Sequence, residues 1–260
     1  MINSLFERVK KSIQFRYNGL VEKILWSNLN LQWQLKSGIN IKVATYAEWV
    51  IYNDIFVDGE YDLSLQKSLS NLKPYQSFIL LDIGANVGYF TLRAADFLVN
   101  QNPHADFQVT LVEGSPSVYK TLQYRVANQT VLKDKIMLLH GLVGELQGEA
   151  KILESAFHVM NSVTSNINSK GATVPYINLN SVYSKISQID LLKCDIEGSE
   201  QRFIENHQEL LQKVKTAVFE FHPNKCDLNK CIFELQKVGL VTYKILRKCP
   251  DFEVYLFERQ

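Results

Sequence analysis

The chain has 260 residues, a length that a single doubly wound α/β core with terminal extensions fills, so one compact unit is the first expectation. Its 46% hydrophobic and 21% charged residues are those of a globular protein with a sizeable core, which excludes large-scale disorder. Lysine plus arginine (28) nearly balance aspartate plus glutamate (27), leaving a net charge of +1 and no long basic run. That points away from nucleic acid and anionic membrane surfaces and towards a small-molecule partner.

In chain order, Ile2, Leu5, Phe6, Val9 and Ile13 fall at helical spacing among Glu7, Arg8, Lys10 and Lys11, predicting an amphipathic helix within residues 1 to 27. Its polar face is not strongly basic, so packing on the domain or on a second copy in a homodimer is favoured over membrane attachment. No stretch has the character of a signal peptide or the roughly 18 uninterrupted apolar residues of a membrane span. From Leu29 to Val43 apolar and polar residues alternate around Ser37-Gly38, predicting a β-hairpin. Aromatics and acids then mix from Tyr46 to Leu72, as in a helical cap over a site. Residues 1–74 are therefore expected as an extension and 75–260 as the core.

After Pro74, the apolar runs FILLDI, FQVTLVE, KIMLLHG, IDLLKCDI and TAVFEFH alternate with stretches at helical spacing, which implies a mostly parallel sheet covered on both faces. VTYKILR and FEVYLFE, separated only by a short turn through Cys249-Pro250-Asp251, are too close for a helical crossover and must pair antiparallel. Cys194, Cys226, Cys231 and Cys249 show no zinc spacing. Free thiols and a cytoplasmic location are the expectation.

Asp82-Ile83-Gly84-Ala85-Asn86-Val87-Gly88 follows an apolar strand and opens a helical stretch, the context of a ligand-binding turn. It lacks the G-x-G-x-x-G of a nicotinamide dinucleotide site, and an acid at Asp82 suits an ammonium group better than a pyrophosphate. The next strand ends at Glu113, where nucleotide-binding α/β folds put an acid on the ribose hydroxyls. Glu113 lies 29 residues after Gly84, more than the roughly 20 of a dinucleotide fold. A turn at His140-Gly141 follows the third strand and can flank a base. Two later strands end in Asp195-Ile196-Glu197-Gly198 and Glu220-Phe221-His222, delivering Asp195, Glu197, Glu220 and His222 to one sheet edge. Such a cluster suits a general base, a hard divalent ion on Asp195, Glu220 and His222, or a structural network. His104, His158 and His207 are expected as surface or packing residues.

The segments LLDIGANVGYFTL, VEGSPSVYKTLQYRVANQ, IDLLKCDIEGSE and VFEFHP resemble, in order and spacing, the FkbM-type methyltransferases of the class I S-adenosylmethionine-dependent superfamily. The resemblance covers roughly Phe56 to Phe257. It implies a Rossmann-like, mostly parallel seven-stranded sheet with a C-terminal antiparallel hairpin, and methyl transfer from S-adenosylmethionine to a hydroxyl of a sugar or secondary metabolite. By position, Asp82, Gly84, Ala85, Asn86 and Gly88 would hold the methionine portion, and Glu113 with Gly114 and Ser115 the ribose side. Gly141 would lie by the adenine, Asp195 beside the sulfonium, and Glu60 within reach of the cofactor. Asp195, His222 and Glu220 would remove the acceptor proton. Methylation of an amine or guanidino nitrogen, and a non-catalytic partner subunit, are the alternatives. The first 50 or so residues and the insert over 155–183 match nothing in the family pattern, and acceptor choice is expected to lie there.

Overall fold

The computed structural model describes residues 24–26, 28–29, 31–70, 72–73, 75–102, 104, 106–153, 162–164 and 171–260. The helix expected over residues 2–13, His158 and much of the 155–183 insert lie outside the described residues.

Leu31–Gln34 (β1) and Asn40–Val43 (β2) form the expected hairpin, with Gly38 supplying a left-handed φ of +86° in the turn. Ile41 and Val43 point inward while Asn40 and Lys42 face solvent, the alternation that pleated strands impose. Thr45 caps Tyr46–Tyr52 (α1): its hydroxyl accepts from the Glu48 N–H, and the Glu48 carboxylate accepts from the Ala44 N–H. A π turn at Asn53–Val57 and the helix Asp62–Leu69 (α2) follow, so the expected cap is helical. Ile41, Val43, Ile55 and Leu65 of this extension share one apolar cluster with Leu80, Phe90 and Leu111 of the core.

The core begins with Ser77–Ile83 (β3), Tyr89–Gln101 (α3), Asp106–Glu113 (β4), Pro116–Ala127 (α4) and Ile136–His140 (β5). Pro116 occupies the first turn of α4, where a missing N–H breaks no helical bond, and the Ser115 hydroxyl accepts from the Val118 N–H. A small antiparallel arm comes next, with Glu149–Leu153 (β6) between Ser162–Thr164 (β7) and Ala172–Pro175 (β8), then the short helix Leu179–Val182 (α5). Ile189–Cys194 (β9), Glu200–Asn206 (α6), Gln208–Leu211 (α7), Val214–Phe221 (β10), Leu228–Lys237 (α8), Thr242–Lys248 (β11) and Glu253–Glu258 (β12) complete the described chain.

Seven strands lie in the order β11-β12-β10-β9-β3-β4-β5. β5, β4, β3, β9 and β10 pair in parallel, whereas β12 enters between β10 and β11 and pairs antiparallel with both. Every residue of β9 is buried, as a strand covered on both faces requires. Leu80, Leu111, Leu191 and Val218 pack on one side of the sheet and Leu81, Ile83, Leu192 and Phe219 on the other. This is the mostly parallel sheet that the alternation implied and the Rossmann-like form, with a C-terminal antiparallel hairpin, that the resemblance implied. The chain winds from β3 out to β5 and returns to β9, so a crevice opens at the carboxyl ends of the central strands. All four cysteines are free, Cys194 and Cys231 buried. Among the described residues no helix is long and apolar enough to cross a membrane.

Candidate active site

The loop after β3 is bonded to both neighbouring strand ends. Gly84 and Ala85 donate N–H bonds to the Val112 carbonyl (2.9 and 3.0 Å), and the Asp195 N–H reaches the Ile83 carbonyl (3.1 Å). A Cβ at Gly84, where φ is +72°, would lie 1.6 Å from the Asp195 carbonyl oxygen, so only glycine lets the loop approach β9 this closely. Gly88, at φ +93°, ends the loop and starts α3.

Asp82 is fully buried below this loop and does not reach the crevice. Its Oδ2 accepts from the Thr91 hydroxyl (2.8 Å), and Oδ1 lies 3.7 Å from the Lys193 ammonium. Lys193 also donates to the Gly84 carbonyl (2.7 Å) and lies 3.4 Å from Asp195 Oδ2, joining both loops. Burial opposes the charge of Lys193, but Asp195, Asp82 and Glu220 outweigh it and raise its pKa. Burial raises the Asp82 pKa, with Lys193 and Thr91 opposing.

Glu113, at the end of β4, accepts the Ser115 N–H on Oε1 (2.7 Å) and the Asn86 N–H on Oε2 (2.9 Å). Burial raises its pKa, and these two bonds pull the other way. Each oxygen retains a lone pair for a ligand hydroxyl. Around it opens a cleft of about 750 Å³. Its polar wall is Gly84, Asn86, Glu113, Ser115, Asp195 and Glu197, and its apolar wall is Val118, Leu142, Val143, Ile152 and Ile196.

Of the residues expected to hold a cofactor, Gly84, Asn86, Glu113, Gly114, Ser115, Gly141 and Asp195 line this cleft. Ala85 and Gly88 are buried residues of the loop and, like Asp82, are not among the residues that line the cleft. Glu60 bonds Arg247 instead (3.2 Å), and burial lifts its carboxyl to about 7 against the pull of that arginine. Several contributors were not singled out in the sequence, among them Tyr61, Glu200, Ile152 and Lys193. Ile152 comes from the β6 arm, whose short polar strands give little periodic signal. Lys193 is a charge inside the otherwise apolar run IDLLKC, a visible anomaly whose partners on the β3 side, Asp82 and Gly84, lie more than 100 residues away.

Asp195 also borders the second group. His222, nearly buried, has Nδ1 3.0 Å from Oε1 of the fully buried Glu200, which also accepts the Gly198 N–H (2.8 Å). Its Nε2 faces Glu197 Oε2 at 3.3 Å and Glu220 Oε1 at 3.8 Å. The Tyr61 hydroxyl donates to Glu220 Oε2 (3.3 Å), so the cap closes over this cluster. Burial, then Asp195, push the Glu220 pKa up strongly, and the same two causes lift Glu197 to about 7. Burial opposes the His222 charge, but Glu200, Glu197 and Asp195 outweigh it and raise its pKa. Ligand atoms of Asp195, Glu220 and His222 lie within 4.8 Å of one another. His207 is buried against Phe203 and His104 stacks on Tyr75, the packing and surface roles expected of them.

Residues 82–251 match the model of the family described as "Methyltransferase FkbM domain". No curated protein matches the chain. Among solved structures it is similar to methyltransferase FkbM from Methylobacillus flagellatus KT, at 15% identity over 72% of this chain and 45% of that one, with a TM-score of 0.49. Magnesium protoporphyrin IX methyltransferase from Synechocystis PCC 6803 with bound SAM is similar at 10% identity, 90% and 89% coverage and a TM-score of 0.49. Aeropyrum pernix fibrillarin in complex with S-adenosyl-L-methionine is similar at 11% identity, 88% and 83% coverage and a TM-score of 0.46. The chain spans less than half the length of the M. flagellatus protein. A family match that runs over more than half of the chain, from the acid opening the glycine loop to the turn between the last two strands, makes this protein a member of the FkbM methyltransferases, which depend on S-adenosylmethionine.

Proposed function

We propose that this enzyme methylates a hydroxyl group of a small molecule such as a sugar or secondary metabolite, with S-adenosylmethionine in the β3–β4–β9 cleft and the acceptor over the β9–β10 edge. The supporting observation is the position of Asp195, which lines the cleft and also stands within 4.8 Å of ligand atoms of Glu220 and His222. One residue thus separates the donor side from the acceptor side.

The cleft fits the cofactor. Asn86 Oδ1 and Asp195 Oδ1 are buried there without a partner, and Glu113 presents two oxygens where a ribose diol would lie. Gly84 and Asn86 hold the methionine end, Glu113 with Ser115 the ribose, and Leu142 with Ile152 the adenine side. That wall needs glycine at both places: a Cβ on Gly114 would meet Leu142 at 2.9 Å and Ile152 at 3.0 Å, and one on Gly141 would meet Ile177 at 2.5 Å. Asp82 acts from below, by shaping the loop. When bound, S-adenosylmethionine supplies a methyl group activated by its sulfonium. The chain's own residues align the acceptor oxygen with that methyl carbon, so that the O–C bond forms as the C–S bond breaks. The proton leaving the acceptor passes to the cluster of Asp195, Glu220 and His222.

Asp195→Ala and His222→Ala should each lower turnover by about 10²-fold or more with the fold intact. Calorimetry of S-adenosylmethionine binding, with Glu113→Ala as the site test, separates loss of cofactor from loss of chemistry. Less than a few-fold loss in both variants would remove the proton-transfer role. The acidic surplus of the cluster also suits a cationic acceptor. A panel of alcohols and amines decides between oxygen and nitrogen, and no transfer to any member by cofactor-bound protein would favour a non-catalytic subunit.

A further inference from the structure

We propose that Asp195, Glu220 and His222 form a divalent-cation site for Mg2+ or Mn2+, and that its open positions take two adjacent oxygens of the acceptor. The acceptor would then be a vicinal diol or an α-hydroxy carbonyl compound. The acceptor half of this statement rests on the methyl-transfer reading above, and the ion site does not.

The three side chains are held by partners behind them. Glu220 and His222 each have one polar atom engaged by an outer partner and another turned to the cluster, and Asp195 brings a carboxylate oxygen within 4.8 Å of theirs. Lys193 stands 3.4 Å from Asp195 Oδ2, while Asp195 Oδ1 is buried with no partner at all. Tyr61 donates to Glu220 Oε2, which leaves Oε1 facing the imidazole at 3.8 Å. Glu200, fully buried, holds His222 Nδ1 at 3.0 Å, which fixes the ring and directs Nε2 at the carboxylates. A carboxylate behind the far nitrogen of a histidine is the usual outer support of a metal-bound imidazole. Nε2 of the fixed ring faces carboxylate oxygens at 3.3 and 3.8 Å, so imidazole and carboxylates converge on one point that a cation can occupy.

The separation suits this reading. Ligands on a common ion at roughly 2.1–2.3 Å lie about 3–4.5 Å apart, and the three residues offer atoms within 4.8 Å of one another. Two carboxylates and one imidazole favour Mg2+ or Mn2+ over softer ions and leave about three positions of an octahedron unfilled. An acceptor chelated through two oxygens would be oriented towards the cleft that Asp195 borders. Its hydroxyl would lose a proton more readily beside the ion. With the three ligands occupied, Glu197, 3.3 Å from His222 Nε2, is the carboxylate left to receive that proton.

The test is titration of chelator-treated full chain with MnCl2 alone, followed by calorimetry and by loss of the free-Mn2+ paramagnetic resonance signal. One site per chain is expected, abolished by Glu220→Gln and by His222→Ala and weakened about tenfold or more by Glu200→Leu. Glu113→Ala should leave Mn2+ binding unchanged while weakening S-adenosylmethionine binding. Circular dichroism and retained cofactor binding establish folding of the cluster variants. Absence of Mn2+ binding by folded, cofactor-binding protein overturns the proposal, as does binding that persists in a Glu220→Gln/His222→Ala double variant. Mn2+ binding without S-adenosylmethionine binding would uphold the ion site and sink the methyl-transfer reading instead.

Discussion

Lys193 carries more of the site than its place inside a strand suggests. Its ammonium is held between Asp82 and Asp195 and bonds the Gly84 carbonyl, so one side chain neutralises two acids and pins the glycine loop. Lys193→Met keeps the stem but leaves Asp82 buried without its counter-charge, a change expected to cost roughly 3 kcal/mol or more. Urea unfolding should show that loss, and calorimetry should show weaker S-adenosylmethionine binding as the loop relaxes. A loss below about 1 kcal/mol with unchanged binding would mean that the lysine is only packing. This network was only partly legible in the sequence. Gly84, Asn86, Glu113 and Asp195 are local signals, because a glycine turn after a strand and an acid at a strand end need no distant partner to be read. The Lys193–Gly84 bond joins residues 109 apart, and Tyr61 reaches Glu220 across 159, so nothing within a short window announces either.

Among the elements, the alternation of apolar runs and helical stretches made the sheet readable, since each core strand carries enough burial to mark itself. The arm of β6, β7 and β8 is different. Its strands are three to five residues long, and its cluster with Leu142 contains few buried side chains, principally Ile152 and Val174. Ile152 nevertheless lines the cleft, and β8 of the insert pairs with its strand. Ile152→Ala should weaken S-adenosylmethionine binding several-fold, about 1 kcal/mol of lost apolar contact. Val174→Ala, in the same cluster but away from the cleft, should lower the melting temperature and leave affinity nearly unchanged. Equal effects of the two on affinity would show that the arm acts only through stability.

At the scale of the whole molecule, the cap is tied to the C-terminal hairpin by ion pairs. Arg247 of β11 holds Asp54 (2.9 Å) and Glu60 (3.2 Å), and Lys67 of α2 pairs with Glu258 of β12. Glu60 is the titrating member. Burial lifts it from 4.5 to about 7, Arg247 opposes, and the charges of Asp54 and Asp195 add to the rise. The folded protein therefore holds this proton more tightly than the unfolded chain. The stability that this contributes is complete below about pH 4.5 and is lost as the pH rises through about 7. Melting curves from pH 5 to 8 should show the native protein losing on the order of 1–3 kcal/mol relative to Glu60→Gln across that window. Parallel curves would mean that Glu60 is already ionised at the lower end.

The insertion of β12 between β10 and β11 also constrains the order of assembly. β11 precedes β12 in the chain yet lies outside it in the sheet, so a lane beside β10 stays vacant until Glu253–Glu258 fills it. Until Glu253–Glu258 arrives, β10 has an open edge of unpaired amides and carbonyls, and Glu220 stands on that edge. As the chain emerges from the ribosome, the cleft on β3, β4 and β9 can therefore form early. The edge that carries Glu220 becomes a finished surface only when β12 pairs with it.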